Sequence, residues 1–98
     1  MRVKLQERFN NELSDIVLFI TRDSAANARR FAKALKTKIA SLPNQPYKCR
    51  KSTSFNDEQV RDLIFKGYVI PYYIDEANGC IFVFGIFKEN EWETEPTD

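Results

Sequence analysis

The sequence predicts an α+β fold in which a two-helix antiparallel hairpin packs on a small, mainly antiparallel four-stranded sheet, in the order β-α-α-β-β-β. Two observations carry this prediction. The N-terminal half repeats apolar residues at helical spacing on either side of a short break at Thr21–Ser24. The segment Arg61–Phe87 instead consists of β-branched and aromatic runs, with a polar turn that ends in Asn78-Gly79.

Length and composition favour one soluble domain. A chain of 98 residues has room for a single hydrophobic core, so we assign residues 1–98 to one domain. The chain is 43% hydrophobic and has a net charge of +1, which is typical of globular proteins and not of disordered ones. It contains no apolar run of the roughly 18 residues that a membrane span requires, and Met1–Lys4 lacks the apolar core of a signal peptide. We therefore expect a cytoplasmic protein with no membrane segment.

The first half of the chain predicts one strand and two helices. Arg2–Gln6 alternates like a strand, and Glu7–Arg22 has an apolar stripe typical of an amphipathic helix. Leu18 falls off this stripe and is predicted to be a single exposed leucine. Ser24 is a good N-cap for a second helix that runs to about Leu42, where a proline ends the pattern.

The second half predicts a loop, three strands and a tail. Pro43–Glu58 has the composition of a long loop. In the strand block that follows, Tyr72 is expected to be a packed residue, and Pro71 lacks the N–H that a central strand needs, so we expect a bulge or a sheet edge there. Asn90–Asp98 is acidic and aperiodic, which predicts a frayed tail. Within it, Trp92 is interpreted as an anchor buried on the sheet, or alternatively as a stacking surface for a base.

Positive charge is concentrated in the first half of the chain. Residues 1–51 contain 12 Lys or Arg against 4 Asp or Glu, whereas residues 52–98 contain 3 against 10, which gives net charges of +8 and −7. Four cations lie opposite the apolar face of the second predicted helix: Arg29, Arg30, Lys33 and Lys36. They either solvate the outer face of that helix or bind a polyanion, and charge alone leaves both interpretations open.

Metal and cofactor chemistry have no support in the sequence. Histidine is absent, and the two distant cysteines, Cys49 and Cys80, are too few for a zinc site, so we expect reduced thiols and no metal. Without histidine there is no Ser or Cys triad, and neither a glycine-rich phosphate loop nor a cofactor motif is present. We therefore expect no cofactor.

The order of elements and several residues resemble the RelE/ParE superfamily of toxins from type II toxin-antitoxin modules, which includes plasmid stabilisation proteins. The similarity covers most of the chain. In the first half it rests on the helix Ala26–Leu42 with Pro46 after it. In the second half it rests on Arg61-Asp62-Leu63, Gly67-Tyr68, Tyr72 and Ile74, followed by an apolar strand.

This resemblance implies one of two activities, namely poisoning of DNA gyrase or cleavage of messenger RNA on the ribosome. An RNase needs a base, an acid and cations that hold the developing phosphorane charge. The segment Phe87–Trp92 has two carboxylates where family nucleases place arginines, and Val69 stands where a basic residue often follows Gly-Tyr. Because carboxylates repel a scissile phosphate, we favour a ParE-like toxin that binds gyrase. A RelE-like ribosome-dependent mRNA endonuclease is the alternative, and a non-toxic interaction module on the same fold is a third interpretation.

The resemblance and the charge pattern together assign candidate roles to ten cations. If the chain is an enzyme, the candidate catalytic residues are Arg61, which matches the family's strand-entry arginine, and Lys88. A structural pairing with a carboxylate is the alternative role for Arg61. The candidates for contact with nucleic acid or another target are Lys48, Arg50, Lys51 and Lys66. Family toxins are held by a cognate antitoxin that wraps the helix pair and sheet edge, so an acidic antitoxin is expected to contact Arg29, Arg30, Lys33 and Lys36.

Overall fold

Two helices and six strands form within residues 1–89, the part of the chain that this computed structural model describes. Strand β1 (Arg2–Leu5) is followed by helix α1 (Glu7–Asp23) and helix α2 (Ala25–Ala40). The remaining strands are β2 (Arg50–Lys51), β3 (Val60–Phe65), β4 (Tyr68–Asp75), β5 (Cys80–Val83) and β6 (Phe87–Lys88). The predicted α+β class, with two helices packed on a sheet, is therefore confirmed. The predictions for the tail and for Trp92 fall in residues 90–98, outside the described part.

The helix hairpin forms where the sequence predicted it. The Ser24 Oγ accepts a hydrogen bond from the Asn27 N–H (3.1 Å), so the predicted N-cap of α2 is confirmed. The Ser24 backbone is extended, which lets α1 end and α2 begin with one residue between them. Helix α2 ends at Ala40, two residues before the predicted end, because Leu42–Asn44 forms a separate 3-10 turn.

The sheet is mixed, and its strands follow the order β1-β5-β4-β3-β2, with β6 also paired to β4. Strands β3 and β4 form a hairpin whose two turn residues, Lys66 and Gly67, have φ angles of 49° and 84°. Positive φ at both positions is characteristic of the type I′ turn, which matches the twist of paired strands. Strand β1 lies parallel to β5, with Arg2 opposite Cys80, whereas the other pairs are antiparallel.

Two short strands depart from the predicted count of four. Strand β2 lies inside the segment predicted to be a loop and pairs with β3, placing Arg50 opposite Asp62. The last predicted strand, Ile81–Phe87, is not continuous, since residues 84–86 separate β5 from β6. Each added strand has only two residues, which is too short for a sequence period to reveal.

The interruption between β5 and β6 lies beside Pro71. Of the two positions expected for this proline, a bulge or a sheet edge, the edge does not apply, because β4 is a central strand. Pro71 pairs with Asp62 on one side, and the pairing of β4 is interrupted on its other side. The Pro71 carbonyl oxygen accepts a hydrogen bond from the Phe84 N–H (3.2 Å). Because the N–H and C=O groups of a strand residue point to the same side, the missing N–H of Pro71 faces the interruption.

Helix α1 is tied to this interruption by Glu12. Its Oε1 accepts a hydrogen bond from the Ile86 N–H (3.0 Å), which has no strand partner there. The carboxylate approaches closely because residue 85 is glycine, where a Cβ atom would lie 3.2 Å from Glu12 Oε1. One acidic side chain therefore fixes the helix hairpin relative to the sheet.

The core lies between the helix hairpin and one face of the sheet. Phe9 and Leu35 from the helices are fully buried against Ile70, Tyr72 and Ile74 of β4. The other core members are Leu13, Phe31, Ile39, Leu42, Leu63, Phe65, Ile81, Val83 and Ile86. The predicted burial of Tyr72 is confirmed, with 0% of its surface exposed. No helix in the described part of the chain is long and apolar enough to cross a membrane.

Candidate functional site

Arg61 lies on the helix-facing side of β3, at the end of the sheet where β2 pairs. Its guanidinium donates to the carbonyl oxygens of Glu58 (3.0 Å) and Cys49 (3.2 Å). The same group stacks on the Tyr47 ring at 5.0 Å and approaches the Glu58 carboxylate at 3.7 Å. Only 17% of the side chain is exposed. The arginine therefore joins the chain before β2 to the chain before β3.

Two tyrosines complete this end of the sheet. The Tyr72 hydroxyl donates to the Pro46 carbonyl oxygen (2.6 Å), and burial, with a further contribution from the neighbouring Cys49 thiol, raises its pKa far above the usual range. The Tyr47 hydroxyl donates to Glu76 (2.7 Å), and this hydrogen bond is the main reason that the pKa of Tyr47 is also raised. Both phenols are thus held as neutral donors.

Lys88, the second candidate catalytic residue, lies at the opposite end of the sheet. It pairs with Tyr68 at the start of β4, whereas Arg61 pairs with Tyr72, four residues further along the same strand. Four residues along a strand span about 13 Å. The buried pair of Leu63 and Ile70 lies between the two cations. The structure therefore does not bring Arg61 and Lys88 together.

Lys48 and Arg50 line one groove of about 620 Å³ between the end of α2 and β3. Lys38, which the sequence analysis did not single out, adds a third cation to this groove. Arg50 also contacts two carboxylates, at 3.4 Å to Asp62 and 3.8 Å to Glu89. Hence Lys38 and Lys48 are the cations of this groove that have no ion pair within residues 1–89.

Asp62 is the most buried carboxylate of the described chain. Its Oδ2 accepts hydrogen bonds from Arg50 and from the Thr53 N–H (3.3 Å), while its Oδ1 is buried with no protein partner among residues 1–89. A buried carboxylate of this kind orders the loop around it, because its charge needs donors. Asp62 therefore explains why Arg50 is held at the sheet edge.

The other two predicted target-binding residues lie apart from that groove. Lys51 forms an ion pair with Glu58 (3.2 Å) on the surface. Lys66 occupies the β3–β4 turn at the opposite end of the sheet and lines a second groove, of about 820 Å³. The four predicted target contacts thus do not form one cluster, although Lys48 and Arg50 line the same groove.

The four predicted antitoxin contacts are exposed on α2. Arg30 and Lys33 line the 820 Å³ groove together with Lys38 and Lys66, over the apolar side chains of Phe31 and Phe65 among others. Arg29 and Lys36 lie with Lys33 on an adjoining shallow surface. Arg30 donates a hydrogen bond to Asn27, and none of the four forms an ion pair within residues 1–89. The α2 surface is therefore a cationic groove with an apolar floor.

The comparisons with known proteins agree with this fold. A family model described as the ParE toxin of type II toxin-antitoxin system, parDE, matches residues 3–91 of the chain. A search of curated proteins gave no match. Within residues 1–89 the matched range includes both helices, every strand apart from Arg2 at the start of β1, and the ten cations with predicted roles. The chain therefore belongs to the ParE toxin family of type II toxin-antitoxin systems.

Proposed function

We propose that this toxin arrests growth by binding DNA gyrase in the cytoplasm and that it does not cleave RNA. The observation that carries the proposal is the separation of Arg61 from Lys88 by the buried core. In addition, the Arg61 guanidinium is occupied by two backbone carbonyl oxygens. Stabilising a phosphorane requires several cations aimed at one phosphate, and these two side chains do not share such a point.

The groups that an RNase needs for proton transfer are also unsuited to the task here. The pKa of Tyr72 is strongly raised, and its hydroxyl group donates its hydrogen bond to the Pro46 carbonyl oxygen. The carboxylate nearest to Lys88 in the sequence, Glu89, lies beside Arg50 at 3.8 Å. A general base must lie within hydrogen-bond reach of the proton that it removes. Binding to a target makes no such demand, so the arrangement favours a toxin that acts by binding.

As contacts with the target we propose the exposed cations Lys48, Arg50, Lys51 and Lys66, which do not lie in one groove. Lys48 and Arg50 line a groove with polar donors such as Asn44 and Gln45. A complex of gyrase with DNA presents phosphates, which attract such cations. The groove around Lys48 is therefore the first surface to alter.

The direct test mixes the purified toxin with gyrase and supercoiled DNA and measures supercoiling and covalent gyrase–DNA cleavage complexes. We expect inhibition or trapped cleavage complexes, and a parallel reaction with ribosome-bound mRNA should show no cutting. Lys48→Ala should weaken the gyrase effect, while Lys4→Ala, on strand β1 at the opposite edge of the sheet from β2, should not.

Two results would replace the proposal. Cutting of ribosome-bound mRNA that is lost in both Arg61→Ala and Lys88→Ala would establish the nuclease alternative, and Lys88→Ala matters because Lys88 is exposed and its removal should leave the fold intact. Expression of the chain without any growth arrest would instead indicate a non-toxic interaction module.

For the antitoxin, which family membership implies, we propose an acidic segment seated on Arg29, Arg30, Lys33 and Lys36. The apolar floor of the α2 groove, formed in part by Phe31 and Phe65, would take apolar side chains of the same segment. Charge reversal of the four cations should weaken the complex, and the loss should shrink as salt rises, because salt screens exposed charges. Equal loss at low and high salt in an affinity measurement would contradict the electrostatic part of this proposal.

A further inference from the structure

Helix α1 exposes two large apolar side chains that contribute nothing to the core. Leu18 is 66% exposed and Phe19 is 59% exposed, the two largest values among the large hydrophobic residues of the described chain. The sequence predicts a single exposed leucine on this helix, and the structure adds an adjacent aromatic ring. Apolar neighbours exposed together on a helix indicate a surface that is covered by another molecule.

The residues around this pair complete one face of α1. Asp15 and Arg22 lie on the side of the helix opposite Phe9 and Leu13. Leu18 and Phe19 lie between them along the helix, about 50° to either side of the line that joins them. Neither Asp15 nor Arg22 has an ion-pair partner within residues 1–89. The face therefore has an apolar centre, with an unpaired acid on one side and an unpaired base on the other.

We propose that this face binds a second copy of the same chain, with the two α1 helices antiparallel about a two-fold axis between residues 18 and 19. A two-fold interface must be self-complementary, because the same patch is used on both sides. Asp15 and Arg22 lie equally far from that axis along the helix. The rotation therefore places Asp15 of each copy opposite Arg22 of the other, while Leu18 and Phe19 of both copies form the centre.

This arrangement favours a second copy over an unrelated partner, because the two-fold rotation that relates the copies brings the acid of each copy to the base of the other. Residues 14–23 of the two helices overlap, a length of about 15 Å. Phe19 also forms part of a neighbouring groove with Tyr68 and Phe87, which extends the apolar surface beyond the helix. The overlap is short compared with interfaces of about 800 Å² per partner, so we expect a weak, concentration-dependent dimer.

Sedimentation velocity of the whole chain over a range of concentrations tests this proposal. We expect a shift from monomer to dimer as the concentration rises, and at least a tenfold weakening for Phe19→Ser. Since Leu18 and Phe19 are exposed, the fold should tolerate such changes, which circular dichroism would verify. Asn10→Arg serves as the control, because Asn10 is exposed on a different side of α1 and its change should leave the dimer intact.

The charge pair gives the decisive result. Asp15→Arg alone and Arg22→Asp alone should each weaken the dimer, since each places like charges opposite one another. The double variant should restore it, although the two positions are seven residues apart in one helix and too distant to rescue each other within a single chain. A monomer at every concentration, a dimer indifferent to Phe19→Ser, or a double variant that stays as weak as the single ones would each overturn the proposal. A monomer whose antitoxin complex depends on Phe19 would assign this face to the antitoxin instead.

Discussion

Arg61 and the cations of α2 carry the same charge but contact different kinds of groups. The Arg61 guanidinium donates to two carbonyl oxygens and stacks on Tyr47, with most of its surface buried. Arg29 and Lys36 on α2 are exposed and have no ion pair within residues 1–89. Arg61 connects segments of its own chain, whereas the α2 cations leave their charge exposed to solvent.

This difference shows why residue type alone is a weak guide to a site. A cation whose donors are satisfied inside the protein stabilises the fold, and its removal leaves buried acceptors without partners. A cation in solvent contributes little to stability and much to electrostatic attraction of a partner. We therefore expect substitution of Arg61 to lower mainly the free energy of unfolding. Substitution of the α2 cations should lower mainly the affinity for a partner.

The largest expected effect on stability is that of Arg61→Ala. We expect a loss of about 2–3 kcal/mol in the free energy of unfolding, because two carbonyl oxygens lose a charged donor and Tyr47 loses its stacked cation. Urea unfolding followed by circular dichroism measures it. Arg61→Lys should recover only part of the loss, because an ammonium group lacks the planar fork of donors. An unfolding curve that matches the wild type would show that the contacts of Arg61 are dispensable.

Tyr72→Phe removes only the hydroxyl group of the tyrosine that pairs with Arg61. We expect a loss of about 1 kcal/mol near neutral pH, since the Pro46 carbonyl oxygen loses its 2.6 Å hydrogen bond. Urea unfolding at pH 7 checks this value. Tyr73→Phe is the matched control, because no hydrogen bond of the Tyr73 hydroxyl is present within residues 1–89.

The wild type and Tyr72→Phe should also differ in how their free energy of unfolding depends on pH. The pKa of Tyr72 is raised in the folded state, so above about pH 10 the unfolded chain loses this proton while the folded chain keeps it. The unfolding free energy contributed by Tyr72 therefore falls as the pH rises through that region. The advantage of the wild type over Tyr72→Phe should shrink between about pH 9 and pH 11. A constant difference across this range would contradict it.

Lys66→Asn tests whether an exposed cation is held at a conformational cost. Lys66 has a φ angle of 49°, a region that asparagine adopts more readily than lysine. We expect the variant to be more stable by about 0.5 kcal/mol in urea unfolding. If Lys66 also contacts the target, gyrase inhibition should weaken in the same variant, so that stability and function change in opposite directions. A destabilised variant would contradict the assignment of the turn.

Arg29→Ala is expected to have the smallest effect on stability. With an exposed side chain and no ion pair within the described residues, it should change the free energy of unfolding by less than about 0.5 kcal/mol. Its effect should appear in the affinity for an acidic antitoxin, measured at low salt. A stability loss as large as that of Arg61→Ala would remove the distinction between the two regions.

Most of the fold followed from local patterns in the sequence, whereas the details of the site did not. The apolar stripe on α1 and the N-cap at Ser24 are each formed by residues close to one another in the sequence, so both can be recognised without knowledge of the fold. Strand β2 depends on pairing with β3, and the role of Arg61 depends on carbonyl oxygens that only folding brings near it. Lys38 and Phe19 were missed because each is next in sequence to an isoleucine that packs in or against the core, and only the structure shows that Lys38 and Phe19 themselves are exposed.

The parallel pairing of β1 with β5 also has a consequence for synthesis. Arg2 lies opposite Cys80, far along the chain. Contacts that span so much of a chain form late, because the intervening segment must close first. While the toxin is being translated, its first strand has no neighbour until β5 has been made. The pairing of β1 with β5 therefore forms only after residues 80–83 have been made, and the helix hairpin is translated before that pairing can form.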